Sequence, residues 1–175
     1  MTGAANLIFP NRAAGSLAER DGKVVGSLLI GQNFTSAKYF HGRPSATTAT
    51  DPNDASKTVA APYNADNSAG SNLAPTAKAL AERVKADLAT LHAENPGETV
   101  PADLLTTSAS GLDPHISREA AWFQVPRVAK ARNLPMPQVA ELVNQLTEGR
   151  WLGLLGEPRV NVLELNLALD QLKSS

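Results

Sequence analysis

The chain has 175 residues, of which 42% are apolar, and it contains no cysteine. Its basic and acidic side chains, 16 and 17 in number, leave a formal net charge of -1 at pH 7. This size suits one hydrophobic core, the near-neutral charge argues against a nucleic-acid partner, and the lack of cysteine excludes disulfides and cysteine-based zinc sites. We predict one domain spanning 1–175, with mixed α and β structure in which several helices pack on a small sheet.

The first part of the chain predicts one strand and one long loop. Leu7–Pro10 is apolar but falls far short of the ~20 residues that a membrane-spanning helix needs. Lys23–Ile30 is rich in Val, Leu and Ile between two glycines, which predicts a buried strand. Residues 41–70 are poor in large apolar side chains and rich in Ser, Thr, Asn, Asp, Ala and Pro. We expect a long polar loop there, in which Arg43 or Lys57 either meets an anion or is solvated.

An amphipathic helix is predicted in the middle of the chain. Ser71-Asn72 offers caps for its start, Pro75 suits a first helical turn, and Asn95-Pro96-Gly97 ends it. Four apolar residues recur on one face at helical spacing, as expected for a helix that packs on a core. These residues are Leu80, Val84, Leu88 and Leu91.

Shorter elements follow towards the C terminus. Arg118–Gln124 is predicted to be helical, and Pro126 is expected to break that helix, so two short helices are favoured over one. Pro137 opens the next helix, which Gly149 closes. Residues 160–165 predict a strand that leads into a last helix. The apolar stripes of the last two helices consist of Val139, Leu142, Val143 and Leu146, and of Leu165, Leu169 and Leu172.

The stretch Thr106–Ser117, TTSASGLDPHIS, concentrates turn-forming and hydrogen-bonding residues. Gly111 permits backbone angles that other residues avoid, Asp113-Pro114 favours a turn, and Ser117 can cap the helix that follows. Two interpretations remain open from local chemistry. The stretch is either an ordinary turn with a good helix cap or a binding loop.

Catalytic and metal-binding motifs are scarce in this sequence. The chain has no HExxH, GxSxG or phosphate-loop pattern, and its three histidines share no ligand spacing. Asp113, His115 and one of Ser108, Ser110 or Ser117 contain the atom types of a hydrolytic triad. Clustering within one loop rarely produces triad geometry, however, so we expect neither a catalytic residue nor a metal site.

Five motifs together resemble a known family, the C subunit of the bacterial Kdp potassium-transporting P-type ATPase. The resemblance runs from about Leu7 to Leu172, with the elements in the same order and at similar spacing. The motifs are Gly31-Gln32, the stretch YFHGRPSA at 39–46, GSNL at 70–73, SGLDPHIS at 110–117 and LGLLGEPRVNV at 152–162.

The resemblance implies an accessory subunit rather than an enzyme. Its implied partners are a channel-like potassium-translocating subunit, a catalytic P-type ATPase subunit and a small membrane peptide. The family carries an N-terminal transmembrane helix that crosses the bacterial cytoplasmic (inner) membrane once, and Leu7–Pro10 matches the stretch that follows it. Residues 1–15 are therefore expected to be a membrane-proximal segment.

Two accounts of such a subunit remain open. In the first, the subunit is needed for assembly and stability of the complex and for potassium-stimulated ATP hydrolysis, and its domain lies on the extracytoplasmic side. Partner contacts are then expected at Arg43, Asp113, Glu157 and Arg159. In the second, the subunit is a catalytic chaperone that raises the nucleotide affinity of the catalytic subunit. In this second account, ATP would be held by Ser108, Ser110, Gly111, His115 and Ser117. No tightly bound cofactor is expected in either account.

One departure from the family pattern bears on this choice. Ala109 stands where the family generally has a glycine between the serines. Its Cβ restricts the backbone conformations in which successive amides can approach a phosphate closely. We therefore favour the assembly account and the extracytoplasmic side.

Overall fold

The computed structural model describes residues 2–150 and 152–172. Within these residues the fold consists of six α-helices, one short 3-10 helix and seven short strands in three small antiparallel sheets. The predicted mixture of α and β structure is confirmed. No helix in this part of the chain combines the length and the apolarity needed to cross a bilayer.

The N-terminal region consists of two short helices and a hairpin. The helices α1 (Thr2–Ile8) and α2 (Pro10–Ala13) precede the antiparallel strands β1 (Leu17–Arg20) and β2 (Lys23–Ser27). Asp21 and Gly22 join these strands, and both have the positive φ angles that a tight hairpin turn requires.

The buried strand predicted over Lys23–Ile30 is wrong in two respects. Strand β2 ends at Ser27, and Val24 keeps 56% of its surface exposed. Because the sheet has only two strands, neither is an inner strand covered on both sides. The local content of Val and Ile indicated an extended segment but not its burial.

The expectation of one long loop over 41–70 is also wrong for its middle part. Strands β3 (Thr48–Asp51) and β4 (Asp54–Ala60) form a second antiparallel hairpin there. Most of β4 is exposed. A strand with no buried face does not need apolar residues at alternate positions, and that alternation is the signal by which a half-buried strand is identified in a sequence. Backbone pairing and the Asp51–Asp54 turn define it instead.

The central helix α3 (Lys78–Glu94) begins later than predicted, since residues 71–77 are not helical. It ends before Asn95, as the Asn-Pro-Gly sequence predicted. All four residues of the predicted apolar face are partly buried, and Leu91 packs against the core. The predicted face of the helix is therefore confirmed, although none of its side chains is fully buried.

The C-terminal part of the chain contributes most of the core. The three-stranded sheet has the order β5 (His115–Ser117), β7 (Arg159–Asn161) and β6 (Thr147–Glu148). Helix α4 (Arg118–Arg132) packs on α5 (Met136–Gln145). The largest fully buried apolar side chains are Phe40, Ile116, Val125, Val128, Val139, Val143, Val160, Leu165 and Leu169.

Helix α4 is continuous, so the predicted break at Pro126 is wrong. Proline removes one hydrogen bond of the helix, at a typical cost of about 3 kcal/mol. Residues on both sides of it, including Ala121, Val125 and Ala129, are buried in the core. In addition, the side-chain amide of Asn95 donates to the carbonyl of Phe123 at 3.0 Å. We attribute the continuity of the helix to this packing.

The last two helices begin and end differently from their sequence signals. Pro137 stands at the start of α5 as predicted, but the helix ends at Gln145 and β6 precedes Gly149. The final strand stops at Asn161, whose side chain caps α6 (Val162–Gln171) by accepting from the backbone N–H of Glu164 at 3.1 Å. The predicted faces of both helices are buried or partly buried.

Candidate functional site

A cleft of about 650 Å³ lies beside the edge of the three-stranded sheet. Its walls come from the segment around Arg43, from β5 with the turn before it, and from the connection between β6 and β7. It brings together six of the nine residues singled out from the sequence. These are Arg43, Asp113, His115, Ser117, Glu157 and Arg159.

Arg43 reaches the cleft from a segment held by two buried side-chain amides. The side-chain amide of Asn166 in α6 accepts from the backbone N–H of Phe40 and donates to its carbonyl. The side-chain amide of Gln124 in α4 makes the same two hydrogen bonds with the backbone of His41. These contacts place Arg43 against the turn at Asp113, 70 residues further along the chain. The guanidinium is positioned by helices, not by a sheet.

An ion pair joins Arg43 and Asp113. Nη1 of Arg43 donates to Oδ2 of Asp113 at 3.2 Å, while Nη2 points to the carbonyls of Thr106 and Thr107 at 3.5 and 3.3 Å. Within the described part of the chain, the buried Nε of Arg43 has no hydrogen-bond partner. The guanidinium therefore ties the start of the Thr106–Ser117 loop to its turn.

Asp113 also closes the turn that leads into β5. Its Oδ1 accepts from the backbone N–H of His115 at 3.0 Å and lies 3.5 Å from Nδ1 of that histidine. Hydrogen bonds from His115 and then from Arg43 lower the pKa of the Asp113 carboxyl, although burial opposes this shift. The carboxylate is thus held ionised by groups on both sides.

Ser117 acts as the cap of α4, as its position predicted. Its hydroxyl accepts from the N–H of Ala120 at 3.0 Å and donates to Oδ1 of Asp103 at 3.1 Å. The other oxygen of Asp103 accepts from the backbone N–H of Ser117 at 2.7 Å. The proton and one lone pair of this hydroxyl are therefore used inside the protein.

Two exposed ion pairs border the other side of the cleft. Arg159 donates to Glu148 at 2.8 Å across the β6–β7 pair, and Arg150 donates to Glu157 at 2.9 Å. The connection between them exposes three leucines, Leu152, Leu154 and Leu155, at 75%, 81% and 60% of their surface. The rim of the cleft therefore combines paired charges with three exposed leucine side chains.

The chain matches the family described as KdpC, the c chain of the K+-transporting ATPase, over residues 1–171. The chain belongs to the KdpC family. It is similar to the potassium-transporting ATPase KdpC subunit of Methylobacterium nodulans, with 70% identity over 172 residues, which cover 98% of this chain and 86% of the relative. The KdpC subunit of Bradyrhizobium diazoefficiens is 69% identical over 171 residues, which cover 98% of this chain and 85% of that relative. The resemblance inferred from the five motifs is confirmed.

Membership of the KdpC family makes the chain a subunit of a K+-transporting ATPase, with an accessory role in potassium transport.

The KdpC cleft does not include the remaining three predicted residues, Ser108, Ser110 and Gly111. Ser108 is buried, and its backbone N–H donates to the carbonyl of Pro44 at 3.4 Å. The hydroxyl of Ser110 accepts from the N–H of Leu112 at 3.1 Å, and its carbonyl accepts from Ala69. The serine part of the loop is packed against neighbouring loops, away from His115 and Ser117.

Gly111 is required for this packing. Its φ is +68°, and a Cβ at this position would lie 2.5 Å from Cγ2 of Thr47 and 2.6 Å from the carbonyl of Ala69. The carbonyl of Gly111 also accepts from the hydroxyl of Ser45 at 2.7 Å. The conformational freedom predicted for Gly111 is thus used for a close approach of backbone to backbone.

Sequence reasoning missed the residues that support Arg43 from behind. The hydroxyl of Tyr63 donates to the carbonyl of Arg43 at 2.6 Å, and the N–H of Tyr63 donates to the hydroxyl of Ser45 at 3.0 Å. Burial, followed by the negative charge of Asp113, raises the pKa of Tyr63 to about 12. The sequence indicated this support only by placing an aromatic residue, Tyr63, within the polar stretch 41–70.

The charges of the KdpC cleft disfavour an anion bound by this chain alone. Carboxylates repel a polyphosphate, and each arginine of the cleft is already paired with one of them. The described residues also contain no group of three or more His, Asp or Glu that could hold a metal ion. The carboxylates that line the cleft are Asp103, Asp113, Glu148 and Glu157, and the arginines are Arg43 and Arg159.

Proposed function

We propose that this KdpC chain is a non-catalytic subunit needed for assembly and stability of a high-affinity, ATP-driven potassium uptake complex. It would thereby support potassium-stimulated ATP hydrolysis by the catalytic P-type subunit. Its other partners are the channel-like potassium-translocating subunit and the small membrane peptide. The full-length protein is anchored in the bacterial cytoplasmic membrane by one helix, and the domain described here lies on the extracytoplasmic side.

The observation that carries this proposal is the convergence of Arg43, Asp113, Glu157 and Arg159 at one exposed cleft. Their charges are held in place by partners within the chain, so a second subunit would meet an ordered polar surface. The neighbouring exposed leucines supply apolar area beside this polar region. Protein interfaces combine apolar with polar area, and this surface offers both.

Charge reversal in the intact complex tests this assignment. Glu157→Arg and Arg159→Glu act on exposed side chains. The combined Arg43→Asp and Asp113→Arg exchange reverses both charges of the partly buried pair while keeping their attraction. We expect reduced co-purification of the other subunits and reduced potassium-stimulated ATPase activity. Lys78→Glu, on the exposed surface of α3, is the matched control. Full assembly and activity in all the cleft variants would overturn the proposal.

A second candidate function rests on the size of the cleft, because about 650 Å³ lies within the usual range for small ligands. In this account the chain is a catalytic chaperone that binds ATP and raises the nucleotide affinity of the catalytic subunit. His115 and Ser117 face the cleft, so the ligand would contact them before Ser108, Ser110 or Gly111.

Nuclear magnetic resonance distinguishes the two accounts. Amide signals of residues 108–117 are followed while ATP, ADP or a non-nucleotide polyanion is added to the chain. Saturable shifts that only ATP produces would favour the chaperone account. Shifts that the polyanion reproduces, or no shifts, would leave the assembly account ahead.

A further inference from the structure

A second groove, of about 780 Å³, lies between α4 and α5 and shares no lining residue with the cleft. Its apolar surface comes from Trp122, Phe123 and Pro126 of α4 and from Met136 and Ala140 of α5. Trp122 and Met136 remain 39% and 51% exposed. Large exposed side chains of these two types are typical of protein interfaces.

Three carboxylates surround this apolar surface. Glu98, Glu119 and Glu141 line the groove, and no lysine or arginine does. Within residues 2–150 and 152–172, none of the three carboxylates lies within ion-pair distance of a basic side chain. Arg118 touches the edge, where it donates to Asn144 at 3.1 Å. The groove lining therefore carries three negative charges and no positive one.

The backbone of α4 departs from regular helical bonding beside the groove. Pro126 has no N–H, so the carbonyl of Trp122 lacks the donor that position i+4 of a helix normally supplies. Trp122 and Pro126 both line the groove. The next carbonyl, that of Phe123, accepts from the amide of Asn95. The carboxylates of the groove are hydrogen-bond acceptors, which suit N–H donors of a partner.

We infer that this groove docks a segment of another polypeptide that inserts apolar side chains and is flanked by lysine or arginine. Apolar side chains of the segment fill the space over Phe123 and Ala140. Its basic groups pair with the three glutamates, an arrangement that steers association and fixes orientation. The inference goes beyond the proposed function, because it concerns a surface that the cleft does not use.

The test uses this chain and a fluorescent amphipathic peptide of lysine and leucine, with a peptide of the same pattern that has glutamate for lysine. Fluorescence anisotropy reports binding. We expect saturable binding of the lysine peptide and weaker binding of the glutamate peptide. In the variant Glu98→Lys/Glu141→Lys, the affinity for the lysine peptide should fall about tenfold, the size expected when close charge pairs are lost.

A control variant separates the groove from net charge. Asp66→Lys/Glu82→Lys makes the same change of charge on exposed residues outside the groove and should alter the affinity less than about twofold. Circular dichroism establishes that each variant is folded. Met136→Asp, which places a charge on the apolar surface, should also weaken binding of the lysine peptide.

Four results would overturn the inference. They are equal loss of affinity in the groove and control variants, equal binding of the two peptides by the original chain, binding of neither, or binding unaffected by Met136→Asp. Two further results would contradict a polypeptide segment as the occupant of the groove. Groove-dependent binding to phosphatidylcholine vesicles would indicate a bilayer instead. A dimer that Met136→Asp dissociates would indicate a second copy of the chain. Because the assay uses the chain alone, its failure leaves the charge-reversal test of the cleft untouched.

Discussion

The side-chain amide of Asn166 makes the two hydrogen bonds to Phe40 that a neighbouring strand would otherwise make. Oδ1 accepts from the backbone N–H of Phe40 and Nδ2 donates to its carbonyl, both at 2.9 Å. Both residues are almost completely buried. Because a buried backbone group without a partner is costly, this amide stabilises the segment that carries Arg43 into the cleft.

Asn166→Leu is expected to destabilise the fold strongly. Leucine retains the volume but leaves the buried N–H and carbonyl of Phe40 without partners, which should lower the free energy of unfolding by about 2–4 kcal/mol. Urea denaturation followed by circular dichroism measures the change. Gln145→Leu, at an exposed amide that contacts Glu141, is the control and should change the value by less than about 0.5 kcal/mol. Equal effects would contradict the role of Asn166.

Gly111→Ala should destabilise the protein more than alanine does at an open glycine. The new Cβ would meet Thr47 and the carbonyl of Ala69, and the backbone angle is unfavourable for alanine. We expect a loss of about 2 kcal/mol or more, from backbone strain and overpacking together.

Gly97→Ala isolates the contribution of the backbone angle. Gly97 has a φ of +91°, but a Cβ there meets nothing within 4 Å. Its replacement should cost about 1 kcal/mol, measured by the same denaturation. If both variants lose the same stability, the close approach at Gly111 contributes nothing.

The hydrogen bonds that Asp113 accepts from His115 and from Arg43 should make stability depend on pH in the acid range. The folded protein lowers the pKa of Asp113, so this carboxylate stabilises the fold above its unfolded pKa of about 3.9. That contribution is lost as the pH falls through the lower, folded pKa. Asp113→Asn should therefore destabilise the protein at neutral pH, and the difference should shrink towards about pH 2.

Unfolding curves of both proteins across this pH range measure the difference. Asp66→Asn, at an exposed aspartate outside the cleft, is the control and should leave the pH dependence nearly unchanged. A difference between Asp113→Asn and the original chain that stays constant with pH would contradict the linkage.

Pro126→Ala should stabilise α4. Alanine restores the N–H that can donate to the carbonyl of Trp122, although it also gives freedom back to the unfolded chain. We expect a net increase of about 1–2 kcal/mol in the free energy of unfolding. Pro137→Ala is the matched control, because a proline at the start of α5 removes no helical hydrogen bond. Destabilisation by Pro126→Ala, or an equal gain in the control, would contradict this explanation.

The elements that could be predicted from the sequence are those with a local cause. The apolar face of α3, its end at Asn95, the start of α5 at Pro137 and the cap at Ser117 each depend on spacing or on one residue's backbone chemistry. The motifs at 110–117 and 152–162 likewise indicated the KdpC family before any contact was known.

The incorrect predictions have a common reason: each feature depends on contacts between elements, which no pattern of residues within one element reports. Helix α4 continues through Pro126 since its flanks are buried by other elements, and the 41–70 stretch contains a hairpin because its two strands pair with each other. Similarly, Ser108, Ser110 and Gly111 are adjacent in sequence to His115, yet they pack against other loops.

Three properties could be inferred from the sequence alone: the family, the mixed α and β character and the helix faces that enter the core. They follow from motifs and periodicity within short segments. The pairing of charged residues, in contrast, depends on how the whole chain folds. Arg43 pairs with Asp113 because buried amides on two helices hold the Phe40–His41 backbone, and the acidic groove exists because α4 and α5 pack side by side. Such contacts join segments far apart in the chain, and no local pattern encodes them.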